Sequence, residues 1–391
     1  MDKQTRHLDA QLKSHFAKYR QVLVLLGPRQ VGKTTVLQRL FPDAQYFLLD
    51  NKPIRDLFER YDINVYRQFI KSTSKIVVLD EIHLLSDPGL AAKIIYDQLP
   101  DIQLIITGSS ALNIKNKTSE SLAGRKIDYK FYPLTFSEFL FQNSITDAFD
   151  YHLIERIIHP DTLTKENIYP FDLGATLENV LIYGLYPNIL NVPADSRYLE
   201  NLADSVIFKD ILELNLIENK SNALQLLKLL AYQIGNLISY ADIANRIGID
   251  MRTVKRYIDI FEQSFIIYRL YPFSQNSRDE IGKSPKIYFY DTGLRNALIN
   301  NFSQIQIRND RGALFENFII TEIIKLNSYG NYGYKLYYWR LRQGAEVDIV
   351  LKKEGTFIGI EVKYVGGKIS RAFMNRYPQV KTGVVTAKNF Y

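Results

Sequence analysis

The chain has no cysteine, which excludes disulfide bonds and zinc sites built on thiolates. It also has no uninterrupted apolar run close to the roughly 18 residues that a membrane-spanning helix needs, so we expect no membrane association. Residues 1–20 are polar and charged and lack the apolar block of a secretory signal. We therefore expect a cytoplasmic protein.

Length and charge set only wide limits. A chain of 391 residues has room for about two to four domains of roughly 150 residues each. Lys and Arg number 49 against 42 Asp and Glu, which gives a formal net charge of +7. This excess is compatible with nucleic-acid contact but does not indicate it.

The first third contains a phosphate-binding pattern. A strand-like run, Val22 to Leu26, leads directly into Gly27-Pro-Arg-Gln-Val-Gly-Lys-Thr-Thr35, and residues 35–40 fit a helix. This is the G-x-x-x-x-G-K-[ST] pattern of a P-loop, in which backbone amides and a helix N-terminus bind phosphate. We expect Lys33 to contact the β- and γ-phosphates of ATP and Thr34 to ligate Mg²⁺. The expected nucleotide-binding residues are Gly27, Pro28, Arg29, Gln30, Val31, Gly32, Lys33, Thr34 and Thr35. The alternative is a glycine loop without a nucleotide.

A second motif follows a second apolar run. Residues 76–79 read as a buried strand that ends in Asp80 and Glu81, where an acidic pair can emerge at the carboxyl edge of a parallel sheet. We interpret the pair as a Walker B motif. Asp80 would hold Mg²⁺ through water, and Glu81 would polarise the attacking water. The alternative is an acidic loop.

Further candidates lie after a third strand-like run, residues 104–107. Thr107 and Ser109, in the sequence Thr-Gly-Ser-Ser110, are candidate sensors of the γ-phosphate at the sheet edge. Arg125 could supply positive charge to that phosphate, from the same subunit or from a neighbour. A structural salt bridge is the alternative for Arg125.

Several motifs together resemble the predicted prokaryotic AAA-superfamily ATPases that carry a C-terminal domain of unknown function. The resemblance spans nearly the whole chain, and one departure is His83, where those relatives tend to have Gln. The motifs are Gly27-Pro-Arg-Gln-Val-Gly-Lys-Thr-Thr35, Leu79-Asp-Glu-Ile82, Thr107-Gly-Ser-Ser110, Leu122-Ala-Gly-Arg125 and Tyr132-Pro-Leu-Thr-Phe-Ser-Glu-Phe139.

The middle of the chain has helical spacing. Residues 135–197 fit a helical lid, and three further helices end with a predicted helix from Arg252 to Phe261, which Asp250 caps. Strand-like runs at 265–270 and 286–290 complete the pattern of a winged helix. The cations Arg252, Lys255 and Arg256 gather on one side of the last helix, where they could contact DNA. An ordinary solvated surface or a protein-binding face are the alternatives.

A β-hairpin is predicted near the C-terminus. Runs at 347–352 and 357–364 flank a two-residue turn, Glu354-Gly355. The resulting register places Asp348 directly opposite Glu361 on the face away from the core. Because like charges at this separation repel, we expect a divalent metal between them. A cross-strand Glu346–Lys363 ion pair, with Asp348 solvated, is the alternative.

The spacing Asp, then Glu-x-Lys on the next strand, resembles the restriction-endonuclease-like fold. That resemblance implies that Asp348 and Glu361 bind Mg²⁺ or Mn²⁺, with Glu316 on a helix at 312–325 completing or tuning the site. It also implies that Lys363 positions the water or stabilises developing negative charge in phosphodiester hydrolysis. Such folds also persist as noncatalytic scaffolds, so the fold does not establish nuclease activity.

Together these patterns predict an α/β protein with four parts. They are a P-loop, AAA-like parallel-sheet core at 1–134, a helical lid at 135–197, a winged helix at 198–290 and a restriction-endonuclease-like domain at 291–391. The expected function is Mg²⁺-dependent ATP binding and hydrolysis that switches contacts with DNA. The alternative is an ATP-controlled module that binds DNA or protein without nuclease action, and self-association is also compatible with the sequence.

Overall fold

Two β-sheets organise the protein, which a computed structural model describes over residues 5–71, 73–109, 121–164, 168–207, 217–273, 284–341 and 344–391. One sheet has five strands and lies in the N-terminal third, and the other has six strands from the C-terminal half. Within the described ranges, no helix is both long enough and apolar enough to cross a membrane.

The N-terminal sheet has all its strands parallel, in the order β2-β3-β4-β1-β5. Its central strands are buried along most of their length and mainly apolar, because helices cover both faces of a parallel sheet. This confirms the parallel-sheet prediction, and β1 has the predicted bounds. The strands are β1 (Val22–Leu26), β2 (Gln45–Leu48), β3 (Ile76–Asp80), β4 (Gln103–Gly108) and β5 (Lys126–Lys130).

Helices surround this sheet. Helix α3 begins at Lys33, directly after the glycine loop, so the predicted strand–loop–helix order is confirmed. The helices are α1 (Asp9–Lys13), α2 (His15–Lys18), α3 (Lys33–Leu40), α4 (Lys52–Phe58), α5 (Ile63–Phe69) and α6 (Pro88–Gln98).

The segment predicted as a lid is helical. Helix α7 opens with a capping box, in which the Thr135 hydroxyl accepts from the Glu138 backbone amide and the Glu138 carboxylate accepts from the Thr135 amide. The helices are α7 (Phe136–Gln142), α8 (His152–Ile158), α9 (Leu173–Tyr183) and α10 (Ser196–Ile207), with short 3₁₀ turns at Pro160–Thr164 and Pro187–Leu190.

Three helices follow at the predicted positions. They are α11 (Lys220–Tyr232), α12 (Tyr240–Ile247) and α13 (Met251–Gln263). Asp250 caps α13 as expected, because its carboxylate accepts from the amides of Arg252 and Thr253. The two strands after them, β6 (Ile267–Pro272) and β7 (Lys286–Phe289), pair antiparallel. The loop expected to form the tip of a wing, residues 274–283, lies outside the described residues.

The second sheet crosses an expected domain boundary. Its order is β11-β10-β9-β8-β6-β7, so the strands predicted for a wing join the strands of the C-terminal part. The junction is parallel, with Tyr271 opposite Tyr337 and Pro272 opposite Tyr338. The remaining elements are α14 (Thr292–Leu298), a 3₁₀ turn (Ile305–Ile307), α15 (Arg311–Tyr329), β8 (Lys335–Arg340), β9 (Glu346–Lys353), β10 (Thr356–Val362), α16 (Arg371–Arg376) and β11 (Lys381–Val385).

The predicted hairpin register is confirmed. Lys353 lies opposite Thr356, and Ile349 lies opposite Ile360. The turn residues Glu354 and Gly355 have φ angles of 48° and 82°. Positive φ at both central positions is the geometry of a type I′ turn, which matches the twist of the two strands and explains the glycine.

Candidate functional site

The glycine loop begins where β1 ends, in a tight gap between neighbouring chain segments. The Gly27 amide donates to the Gly108 carbonyl at 3.2 Å. A Cβ atom at Gly27 would lie 1.9 Å from the carbonyl oxygen of Phe131, so only glycine fits there. The first glycine of the motif is therefore required by close packing against Phe131, the residue that follows β5.

Lys33 is held inside the loop. Its side chain is buried, and Nζ donates to the carbonyls of Gly27 at 2.7 Å and Pro28 at 3.0 Å. The ammonium group is thus enclosed by the same backbone that would surround a phosphate. A phosphate ligand would offer this group a charged partner in place of neutral carbonyls.

Thr34, Asp80 and Thr107 form one hydrogen-bonded group at the carboxyl edge of the sheet. The Thr34 hydroxyl donates to Asp80 Oδ2 at 2.7 Å, and the Thr107 hydroxyl donates to Asp80 Oδ1. The Thr107 oxygen also accepts from the Glu81 amide at 3.1 Å. A hydroxyl beside a carboxylate is a donor set that suits Mg²⁺, which prefers oxygen ligands. The residues present therefore fit the expected metal.

Glu81 lies next to this group with a left-handed backbone, φ 60°. His83 Nδ1 lies 3.1 Å from Glu81 Oε2, and the His83 side chain is almost fully buried. Burial alone would raise the pKa of Glu81, but Lys33, His83 and Arg29 outweigh it and lower that pKa to about 2. Glu81 is therefore an anion at neutral pH. His83, which stands where the resembled family tends to have Gln, is in direct contact with it.

The other expected phosphate contacts differ in position. Ser109 Oγ is buried at the same sheet edge and has no hydrogen-bond partner among the described residues. Its neighbour Ser110 lies outside the described residues. Arg125 precedes β5 at the amino end of the sheet and pairs with Asp97 at 3.1 Å. The glycine loop lies at the carboxyl end of the sheet, so Arg125 is not near the loop of its own subunit. Within one subunit, Arg125 forms the salt bridge that was its alternative role.

A cavity of about 500 Å³ opens beside the start of α3. Gly32, Thr35 and Val36 line one side, and Gln142 and Asn188 from the predicted lid line the other. Its mixture of apolar and amide groups suits a nucleotide base. No local motif marks this cavity, because its two walls are more than a hundred positions apart in sequence.

Arg6 is a residue that the sequence patterns did not identify. Its guanidinium donates to the carbonyls of Val31 at 2.9 Å and Tyr132 at 2.6 Å, and its Nε lies 3.1 Å from Glu138 Oε2. It also stacks over the Phe131 ring. The pair is buried, and although burial would raise the pKa of Glu138, Arg6 and His7 lower it. One arginine thus joins the glycine loop to α7.

The cations expected to contact DNA lie where the helical spacing places them. Arg252, Lys255 and Arg256 are all exposed on α13, opposite buried apolar residues. Arg256 pairs with Glu218 at 3.1 Å, and both side chains are largely solvated. The predicted exposure of these three cations on the solvent side of α13 is therefore confirmed.

The C-terminal hairpin brings its two carboxylates to one ammonium group. Lys363 Nζ lies 3.1 Å from Asp348 Oδ2 and 2.7 Å from Glu361 Oε1. Asp348 Oδ2 also accepts from the Val362 amide at 2.8 Å. Both carboxylates are buried, so the alternative of a solvated Asp348 is wrong. The expected repulsion is resolved by a lysine, and a metal is not needed for that purpose.

Glu316 and Glu346 have a different cation. Lys286 Nζ lies 3.3 Å from Glu316 Oε1 and pairs closely with Glu346, which also contacts Arg340. The Tyr288 hydroxyl donates to Glu316 Oε1 at 2.5 Å. The alternative pairing of Glu346 with Lys363 is therefore wrong. We call Glu316, Glu346, Asp348, Glu361, Lys286 and Lys363 the C-terminal cluster.

Burial dominates the electrostatics of the C-terminal cluster. Burial and the nearby Asp348 raise the pKa of Glu361 to about 7, against the opposing effect of Lys363. Burial also raises the pKa of Glu316, although Lys286 acts in the other direction. Within the described residues, no three His, Asp or Glu side chains are grouped so that they could hold a metal ion. The expected ligand set of Glu316, Asp348 and Glu361 is thus not assembled as a metal site in this conformation.

Three protein-family models match successive parts of the chain. Residues 19–140 match an AAA domain. Residues 311–389 match a Domain of unknown function (DUF4143), and residues 174–305 match another, DUF8612. This is an AAA-domain protein with a C-terminal domain of unknown function. The AAA domain contains the glycine loop, Asp80, Glu81 and Thr107.

Two relatives are similar to most of this chain. An uncharacterized protein of Methanocaldococcus jannaschii is 26% identical over 387 residues, covering 93% of this chain and 79% of the relative. An uncharacterized protein of Mycobacterium tuberculosis is 25% identical over 359 residues, covering 91% and 73%. Among solved structures, the Walker-type ATPase of Pyrococcus abyssi is similar with 14% identity and a TM-score of 0.48, covering 76% of this chain and 95% of that one.

Proposed function

We propose that the AAA domain binds and hydrolyses ATP with Mg²⁺, and that its nucleotide state controls how the C-terminal half contacts DNA. One observation carries the ATPase part of the proposal. Lys33, Thr34, Asp80 and Glu81 come from two separate motifs, and the fold brings them to one edge of one sheet. Lys33 and Asp80 are buried and Thr34 and Glu81 are partly exposed beside them, an arrangement of charged groups in a cleft that is typical of a binding site for a charged ligand.

Each residue has a distinct task in this proposal. Lys33 exchanges its contacts with the carbonyls of Gly27 and Pro28 for the β- and γ-phosphates. Thr34 and Asp80 would hold Mg²⁺, which would supply positive charge beside the phosphate oxygens. Ser109 offers its buried, unpartnered hydroxyl to the γ-phosphate. Glu81 accepts a hydrogen bond from the attacking water and so directs it.

The connection between α15 and the glycine loop supports a switch. Tyr329, at the end of α15, accepts from the Tyr132 amide at 2.9 Å, and the Tyr132 carbonyl accepts from Arg6. Arg6 in turn donates to Val31 inside the glycine loop. A shift of the loop on binding phosphate therefore changes contacts that reach the C-terminal half directly.

A second pair on α15 strengthens this connection. Lys325 Nζ donates to the Leu134 carbonyl at 2.8 Å, and Glu322 Oε2 accepts from the Phe136 amide at 2.8 Å. Both side chains are buried and also contact each other at 2.9 Å. Glu316 lies on the same helix, about 20 Å from Tyr329 at 1.5 Å per residue. Helix α15 thus joins the AAA domain to the C-terminal cluster as one rigid element.

The exposed cations of α13 support the DNA part of the proposal. Arg252 and Lys255 lie on the solvent side of the second helix of a helix–turn–helix arrangement. Such a helix can enter a major groove with its cations against phosphates. Two strands follow it, as in a winged helix.

The second candidate function is an ATP-controlled module that binds DNA or a protein without cutting nucleic acid. The pairing of Lys286 and Lys363 with all four carboxylates of the C-terminal cluster favours it over nuclease action. Cleavage of DNA in the presence of Mg²⁺ or Mn²⁺, abolished by Asp348→Ala, would instead favour a nuclease.

ATP turnover tests the main proposal. We expect the full chain to release phosphate from ATP with Mg²⁺ and to stop when EDTA is added. Lys33→Ala should lose nucleotide binding, and Glu81→Gln should bind ATP but lose most turnover, since only the water-directing carboxylate is changed. Equal rates for the wild type and both variants would refute the proposal.

A further inference from the structure

Strand β7 delivers a lysine to the C-terminal cluster from outside the predicted motif. Lys286 is the first residue of β7, and its side chain is only 4% exposed. Its Nζ contacts Glu316 and Glu346, which lie on α15 and β9. The motif spacing does not include Lys286, because it precedes Asp348 by more than sixty positions.

The contacts divide the carboxylates between two ammonium groups. Lys286 forms ion pairs with Glu316 and Glu346, and Lys363 forms ion pairs with Asp348 and Glu361. Two lysines carry the same formal charge as one divalent ion, and each of them contacts two of the four carboxylates. A metal ion would therefore have to displace an ammonium group that is already buried and paired.

The carboxylate oxygens are also engaged in other ways. Glu316 Oε1 accepts from Tyr288, and Asp348 Oδ2 accepts from the Val362 amide. Glu361 Oε2 is buried without a hydrogen-bond partner among the described residues.

We infer that Lys286 is a resident cation that closes the C-terminal cluster to divalent metal, and that the cluster becomes a metal site only when Lys286 is withdrawn. The restriction-endonuclease resemblance implies metal ligation by Glu316, Asp348 and Glu361, and this chain departs from it through a residue of β7. The inference does not depend on ATP hydrolysis. Because β7 pairs with β6 directly after the helix–turn–helix, a ligand that moves these strands would also move Lys286.

The inference can be tested by measuring Mn²⁺ binding to the full, nucleotide-free chain with electron paramagnetic resonance. We expect the wild type and the Asp348→Asn variant to bind Mn²⁺ equally, since the closed cluster adds no metal site. Lys286→Met, which keeps the length of the side chain and removes its charge, should gain saturable Mn²⁺ binding. The Mn²⁺ affinity of Lys286→Met should exceed that of the wild type at least about tenfold. The double variant Lys286→Met with Asp348→Asn should lose this gain.

Lys335→Met is the matched control, because Lys335 is an exposed lysine of β8 and its removal changes the net charge equally. If it strengthened Mn²⁺ binding as much as Lys286→Met, overall charge would explain the result and the inference would fail. Wild-type binding that Asp348→Asn abolishes would also overturn it. Should Lys286→Met not fold, that wild-type comparison decides the question alone.

Discussion

Arg6 and Glu138 form a buried ion pair at 3.1 Å, although 132 positions separate them in the sequence. The pair joins the segment before the first strand to the helix after the last strand of the parallel sheet. Glu138 also closes the capping box of α7 and accepts from the His7 amide at 2.7 Å. The segment 132–139 is thus a junction, where the glycine loop, α7 and the end of α15 meet.

Loss of this pair should destabilise the protein strongly. Arg6→Ala leaves a buried carboxylate without its cation, which costs about 3–5 kcal/mol in buried pairs. We expect Glu138→Gln to cost less, because the amide keeps part of the hydrogen bonding. Urea denaturation monitored by circular dichroism measures both free energies of unfolding.

Arg125→Ala provides the control, since its ion pair with Asp97 is more than a third exposed on the arginine side. Exposed pairs contribute about 0–1 kcal/mol, so this variant should unfold nearly like the wild type. A loss for Arg6→Ala as small as that for Arg125→Ala would contradict the assignment of Arg6 as a buried junction.

His83 should position Glu81 during hydrolysis. Its Nδ1 lies 3.1 Å from the Glu81 carboxylate, and we expect His83→Ala to lower kcat roughly tenfold, which corresponds to about 1.4 kcal/mol of barrier. The KM for ATP should change little, because His83 does not line the glycine loop. His83→Gln should restore most of the rate, since the amide can donate to the same carboxylate. A purely structural role would lower stability in both variants and leave kcat unchanged.

The candidate nucleotide site could be predicted from the sequence because its residues follow local rules. A strand, a glycine loop and a helix start must be contiguous to surround phosphate, and Asp80 must follow a buried strand to reach the same sheet edge. The order of parallel strands then places Thr107 beside Asp80. Arg6 carries no such signal, since a lone arginine near a polar N-terminal segment is ordinarily a surface residue.

In the C-terminal hairpin, too, the local sequence pattern predicts the strand pairing but not the contacts with distant residues. Strand alternation and a two-residue turn were sufficient to predict the pairing of Ile349 with Ile360 and the closeness of Asp348 to Glu361. They could not predict which cation would relieve the repulsion. Lys286 comes from β7. The packing of α15 against β7 brings it to Glu316, and the joining of β6 to β8 brings it to Glu346 on β9. Contacts between distant strands depend on the whole sheet order, which local periodicity does not specify.

Acidification should weaken folding through His7. Burial lowers the pKa of His7 below its ordinary value, so the unfolded chain takes up a proton before the folded chain does. The free energy of unfolding should therefore fall as the pH drops below roughly 6.5, by about 1.4 kcal/mol for each pKa unit between the two states. Denaturation at several pH values should show a flatter profile for His7→Gln.

The buried His15 has a lowered pKa for the same reason and should contribute in the same direction. His152 is exposed, so His152→Gln serves as the matched control and should keep the wild-type pH profile. If His7→Gln and His152→Gln gave the same profile, burial of His7 would not be the cause of the acid sensitivity.

Charge reversal on α13 should weaken DNA binding. If Arg252 and Lys255 contact phosphates, each contact releases counterions, and affinity depends steeply on salt. We expect Arg252→Glu with Lys255→Glu to lower affinity for duplex DNA at least about tenfold and to reduce the slope of log affinity against log salt by about 2. Fluorescence anisotropy at several salt concentrations measures both. Lys52→Glu changes an exposed cation on α4 and should leave the slope unchanged. Equal slopes for the wild type and the α13 double variant would show that this basic face is a solvated surface or contacts a protein, and would leave the ATPase without a DNA-binding face on α13.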